Sequence, residues 1–241
     1  MAAKKSDKQE IVIVIIGRTG AGKSHFANLA TGGQNAGAVR KGLSSSIAPP
    51  NILLLTQPVI GIDIPVYIVD TRGFDGTGSS NADKDVWAGI TSRLVAIRAE
   101  NPKRLFGAIY LTSLQSGRVL EADKKNLKTF LLLYGTNFHR KVVLASNWGT
   151  KEQHDELVRL HPWNIITGNG GQDARFCGDR KSALDIVEKV VRLIMADQQG
   201  FEFDEKSIAK KLKGLGSSEQ KEYKKRQSGL QRFFSMLRCW E

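Results

Sequence analysis

The chain has 241 residues, and its 36 Lys and Arg against 24 Asp and Glu give a formal net charge of +12. That length suits one α/β domain with terminal extensions better than two domains, and the charge points to polyanions: acidic membrane surface, nucleic acid or an acidic partner. No run of 18 apolar residues is present to span a bilayer, and Cys177 and Cys239, far apart and outside any C-x-x-C spacing, indicate neither a disulfide framework nor a zinc site.

Met1 to Glu10 is polar and lysine-bearing, with no apolar region resembling a secretory signal. Residues 1–10 are therefore expected to form a mobile tail and the protein to be cytoplasmic. Six apolar β-formers, Ile11 to Ile16, predict a strand that runs into Gly17-Arg18-Thr19-Gly20-Ala21-Gly22-Lys23-Ser24. This octapeptide meets the phosphate-binding pattern G-x-x-x-x-G-K-[ST] at every fixed position, and Ser24 to Ala30 can continue as helix. Gly17, Gly20 and Gly22 allow positive φ, so that successive N–H groups turn inward on phosphate at the positive end of a helix. The Lys23 ammonium reaches for the β- and γ-phosphates, and the Ser24 hydroxyl for Mg²⁺. His25 follows as a further nucleotide-binding candidate, with a solvent-facing place on the first helical turn as its alternative.

From Thr31 to Pro50 the chain is rich in Gly, Ser, Asn and Ala, and reads as a switch loop. Asn51 to Ile60 and Ile64 to Val69 are β-branched apolar runs around Gly61-Ile62-Asp63, the shape of a hairpin. The second run ends in Asp70-Thr71-Arg72-Gly73, a D-x-x-G tetrapeptide in which Asp70 serves a Mg²⁺-bound water and the Gly73 N–H can approach a γ-phosphate. Phe74 to Asn81 reads as a second switch. Ala82 to Ala99 is a predicted helix with Val86, Ile90, Leu94 and Ile97 inward. Phe106 to Leu114 and Lys141 to Ala145 are predicted strands, and Glu121 to Tyr134 is a helix with Leu127, Phe130, Leu131 and Tyr134 inward. A polar helix is expected near Glu152 to Leu160, a short strand around Asn164 to Thr167, a loop over Gly168 to Gly178, and an amphipathic helix over Ser182 to Met195.

Strands alternating with helices predict a mainly parallel, doubly wound α/β sheet over residues 11–199, entered by the phosphate-binding loop. Residues 200–241 are expected to form a basic helical extension. Lys206 to Lys213 and Lys221 to Arg226 precede a face made of Leu230, Phe233, Phe234, Leu237 and Trp240. That face either packs back on the domain or makes peripheral membrane contact. Nucleic acid is not an expected partner, because the tail holds no recognisable nucleic-acid module.

The octapeptide at 17–24 followed by Asp-Thr-Arg-Gly-Phe-Asp at 70–75 resembles the immune-associated (AIG or GIMAP-type) branch of the septin-like GTPases, and looks most like short fungal G-domain proteins related to it. The likeness extends through Gly107 to Leu111, Val142 to Leu144, Trp148, Trp163 to Gly168, Arg175-Phe176 and Ser182-Ala183. It implies a three-layer α/β P-loop NTPase fold of the Ras-like G-domain kind that binds GTP, Mg²⁺ dependence and a homodimer formed across the nucleotide face. It also places the switch hydroxyl at Ser46, the best aligned of Ser44, Ser45 and Ser46. The expected catalytic set is then Lys23, Gly73 and Ser46, and the metal set Ser24, Ser46 and Asp70.

The pattern is departed from in three places. Where the family reads guanine with [NT]-K-x-D, this chain has Ser146-Asn147-Trp148-Gly149, which lacks the Asp that accepts from guanine N1–H and its exocyclic amine. Asn147 and Trp148 remain base-side candidates, Trp148 either stacking on the base or packing in a core or interface. Arg72 replaces a common Pro, and Phe74 stands where a Gln orients water in Ras-like enzymes. A phenyl ring cannot polarise water. The expected function is a Mg²⁺-dependent GTP-binding switch with slow hydrolysis, stimulated by dimerisation or a partner. The alternatives are a nucleotide-bound scaffold without turnover and a protein that prefers ATP.

Overall fold

The computed structural model describes residues 8–33, 51–55, 59, 62–74, 80–117, 119–197, 207–208 and 210–211. Ser46 and most of the first switch loop, the segment 75–79 of the second, and the aromatic face at 230–240 with Cys239 lie outside the described residues. The chain divides into two units, Met1–Phe203 and Asp204–Glu241; in the second, residues 207–208 and 210–211 are helical.

In the first unit the elements run β1 (Ile11–Ile16), α1 (Lys23–Ala30), β2 (Asn51–Leu54), β3 (Val66–Asp70), α2 (Ser80–Glu100), β4 (Leu105–Ser113), α3 (Glu121–His139), β5 (Val142–Asn147), α4 (Lys151–Arg159), α5 (Trp163–Gly168), β6 (Gln172–Phe176) and α6 (Arg180–Ala196). The strands form one sheet in the order β2-β3-β1-β4-β5-β6, parallel throughout except for the antiparallel β2–β3 pair.

Every residue of β1, β4 and β5 is buried, the mark of strands covered on both faces. Alternation sorts their side chains. Ile11, Ile13, Ile15, Ile109, Leu111, Val143 and Ala145 join Phe26 of α1 and Ile186, Val187, Val190, Val191 and Ile194 of α6 in one apolar cluster. On the other face Tyr110 meets Phe130 of α3 at 5.9 Å between ring centroids, and Phe130 meets Trp87 of α2 at 6.2 Å. Helix, sheet and helix thus give the three layers that the alternation of strands and helices predicts.

Most predicted elements are present, and the inward set of α2, Val86, Ile90, Leu94 and Ile97, is buried. Three local expectations are corrected. Asn164 to Thr167 is not a strand but part of α5, where Trp163 and Ile166, three residues apart, are both buried; so short an apolar run fits either period. The supposed loop over Gly168 to Gly178 contains β6, whose register against β5 runs from Val143↔Gln172 to Asn147↔Phe176. At the sheet edge this strand buries only Phe176, so its sequence is polar and carries little periodic signal. On α3, Leu133 is buried rather than Leu131, and the helix continues to His139 across a break at Gly135, where φ is 74° and ψ 174°.

Candidate functional site

Chain direction creates the crevice. From β1 the chain crosses to β3 on one side and then to β4 on the other, so the connections diverge at the carboxyl end of β1, where open α/β sheets bind ligands. The loop 17–24 occupies that point. Gly17, Gly20 and Gly22 have φ of 154°, 82° and 94°, and Gly22 caps the start of α1. A side chain on Gly17 would collide with the Leu111 carbonyl of β4, and a Cβ on Gly22 would lie 2.5 Å from Asn147 Nδ2. Only glycine permits both the turn and this closeness.

Within the loop, Lys23 is 6% exposed, and its Nζ donates to the Arg18 carbonyl at 2.9 Å. Asp70, at the end of β3, hydrogen-bonds the Ser24 hydroxyl and feels the charge of Lys23. Burial outweighs both and pushes its carboxyl above the ordinary carboxylate range. The Oδ1 atom of Asp70 is buried without a hydrogen-bond partner. A buried carboxylate oxygen with an open lone pair beside a hydroxyl is a hard-oxygen pair suited to Mg²⁺, which takes one or two protein groups and fills its other places with phosphate and water. No group of three or more His, Cys, Asp and Glu among the described residues could hold a metal by itself.

The D-x-x-G segment is stitched to the phosphate loop. Thr71 Oγ1 donates to the Ile15 carbonyl at 2.5 Å, Thr19 N–H to the Phe74 carbonyl at 2.8 Å, and Phe74 N–H to the Gly17 carbonyl at 3.4 Å. A Cβ on Gly73 would overlap the Thr19 backbone, so glycine is required by contact as well as by any phosphate. Phe74 is fully buried, its ring 4.6 Å from that of Trp87. It anchors the segment in the α2 side of the core instead of facing the crevice.

The remaining candidates divide. Arg18 turns to α3, with Nε 3.6 Å from Asp123 Oδ1, an ion contact too long to be a hydrogen bond. Burial raises the Asp123 carboxyl, and Arg18 opposes that rise. His25 is exposed on the first turn of α1, its ring 5.9 Å from that of Phe176. Arg72 is half-buried. Asn147 is 2% exposed, and its Nδ2 donates to the Ala21 carbonyl at 3.2 Å, tying the end of β5 to the phosphate loop. The next residue, Trp148, is 50% exposed with φ of 59°. Counted from Asn147, the four residues are Asn147-Trp148-Gly149-Thr150, and the Thr150 side chain is occupied as the cap of α4, accepting from Gln153 N–H.

The sequence reading did not single out Thr71, Asp123 or the pair His154 and Asp173. Ser146 Oγ lies 2.8 Å from His154 Nδ1, and His154 Nε2 lies 3.0 Å from Asp173 Oδ2. Ser146 and His154 are buried, so this chain of hydrogen bonds clamps α4 to β5 and β6 behind the loop of Trp148. Its members come from three elements, and no local spacing announces them.

No protein-family model and no curated protein matches the sequence. Among solved structures, a dimerization-deficient mutant of Toc33 from Arabidopsis thaliana aligns with a TM-score of 0.59 at 16% identity, over 81% of this chain and 88% of that one. Toc33 in complex with GDP and Mg²⁺ aligns with a TM-score of 0.57 at 16% identity, over 82% and 88%. At this identity the likeness is one of fold, the mainly parallel six-stranded α/β architecture described above.

Proposed function

We propose that this protein is a Mg²⁺-dependent guanine-nucleotide-binding switch that hydrolyses GTP slowly. The observation that carries the reading is the meeting of the glycine loop, Lys23, Ser24 and a partly unsatisfied Asp70 at the point where the sheet's connections diverge. Loop N–H groups and Lys23 hold the phosphates, while Ser24 and Asp70 hold Mg²⁺, which neutralises phosphate charge when bound. The Gly73 N–H serves the terminal phosphate. Similarity to a protein solved with GDP and Mg²⁺ supports the choice of ligand.

Slow turnover follows from Phe74. The position after Gly73 is committed to the core, so nothing at that place orients water. We further propose that a second copy completes the nucleotide face, a reading supported by likeness to a protein whose mutant is described as dimerization-deficient. The same buried Phe74 favours a second reading, a nucleotide-bound scaffold without turnover. Nucleotide titration with and without Mg²⁺, combined with phosphate-release kinetics, tests both. GTP should bind with Mg²⁺, and Lys23→Ala should weaken it by at least about tenfold, in keeping with loss of a charged phosphate contact. Absence of binding, or indifference to Lys23→Ala, overturns the switch reading; binding without any phosphate release selects the scaffold.

A further inference from the structure

Trp148 is set apart by three observations. It is the non-glycine residue with positive φ among the described residues, at 59°, a conformation uncommon for any L-residue and a marked outlier for a bulky one. Half of its surface is exposed, although a large aromatic ring gains most by burial. Finally, its Cη2 atom lies 3.3 Å from where a Cβ of Gly22 would be, so the indole borders the phosphate cradle on the β5 side, directly after the Asn147 tether to Ala21.

A strained backbone persists only where its surroundings over-determine it. Here Asn147 is fixed to the phosphate loop on one side, and on the other Arg175 Nη2 donates to the Gly149 carbonyl at 2.8 Å while Thr150 caps α4. The ring is thereby held, exposed, at the rim of the site. The two positions that could carry an edge-reading carboxylate, Gly149 and Thr150, carry none. The adjacent acid, Glu152, is drawn to its own backbone N–H and the Thr150 side chain, which hold its carboxyl below the usual range.

We propose that Trp148 is the purine-stacking residue of this site, and that the base is recognised by its face rather than its edge. The assignment rests on the phosphate site of the reading above and widens its ligand from guanine to purine nucleoside triphosphates. Stacking is tolerant of base identity because every purine offers a π-face, so GTP and ATP bind with affinities within about tenfold of each other. Hydrogen-bonded edge reading would instead separate them by about 10⁴.

The test measures affinities of the full chain for GTP, ATP and inorganic tripolyphosphate with Mg²⁺ by calorimetry, in the natural protein, Trp148→Gly and Trp148→Phe. Glycine removes the ring while suiting the positive φ, so misfolding is not the expected result. Trp148→Gly should weaken GTP and ATP alike by about tenfold and leave tripolyphosphate unchanged, and Trp148→Phe should retain most of the affinity. Unchanged GTP binding in Trp148→Gly overturns the proposal. So does a GTP preference beyond about 100-fold in the natural protein, particularly one abolished by Glu152→Gln. If the natural protein binds none of the three probes, the phosphate-site reading fails and the stacking assignment falls with it. If tripolyphosphate binds and Trp148→Gly alters nothing, only the assignment fails.

Discussion

Asp70 holds a carboxylate where burial opposes its charge, and the neighbours that favour ionisation, Ser24 and Lys23, do not offset that opposition. Its folded pKa lies above its unfolded value, so ionised Asp70 detracts from stability once the pH exceeds both, and the penalty fades as pH falls through the folded value. Asp70→Asn removes the charge while keeping the shape. We expect the metal-free variant to be more stable than the natural protein at neutral pH, with the Mg²⁺ dependence of nucleotide binding lost. Thermal unfolding checks the first outcome and titration with and without Mg²⁺ the second. A variant that is destabilised and still responds to Mg²⁺ would show Asp70 to be a structural partner of Ser24 only.

Helix α4 shows how an element with little apolar surface is fastened. Of its nine residues only His154 and Leu157 are buried, so hydrogen bonding must fix its place. The capping box of Thr150 and Gln153 begins the helix, and His154 ties it to Ser146 of β5 and Asp173 of β6. Replacing His154 by Ala leaves the buried Ser146 hydroxyl without this partner. The expected loss is about 1 to 3 kcal/mol, read by denaturant unfolding. Hydrogen bonding from His154 holds the Asp173 carboxyl below the usual carboxylate range. Its stabilisation is complete above pH ~4 and is lost as pH falls further, so the natural protein should lose stability below that pH more steeply than His154→Ala. Equal acid sensitivity of the two proteins would count against the clamp.

For the molecule as a whole, the GTP hydrolysis proposed above finds no water-orienting group after Gly73. Arg18 faces Asp123, and Phe74 belongs to the core. The second copy proposed above would complete the nucleotide face, and an arginine provided in this way is worth about 10³ to 10⁵ in rate for GTPases. Light scattering with a non-hydrolysable GTP analogue should give a dimer mass, against a monomer mass without nucleotide, and turnover per site should rise with protein concentration. A single mass in every nucleotide state, with concentration-independent turnover, argues for the scaffold. No helix of the described residues is long and apolar enough to cross a membrane.

The sequence by itself determined the parts whose signal is local. Ile11 to Ile16, the octapeptide at 17–24 and Asp70 to Gly73 declare strand, glycine loop and D-x-x-G turn because chain neighbours build each of them, and β1, β4 and β5 are legible because burial on both faces demands unbroken apolar runs. Tertiary structure alone decided what depends on distant partners. Sheet pairing made a strand of polar Gln172–Phe176, and burial of Trp163 and Ile166 made a helix of the next apolar run before it. Arg18 was drawn to Asp123, Phe74 to Trp87, and Asn147 to Ala21, leaving Trp148 exposed at the rim. A side chain's direction is set by which cavity or charge lies within reach after folding, and sequence spacing does not encode that reach.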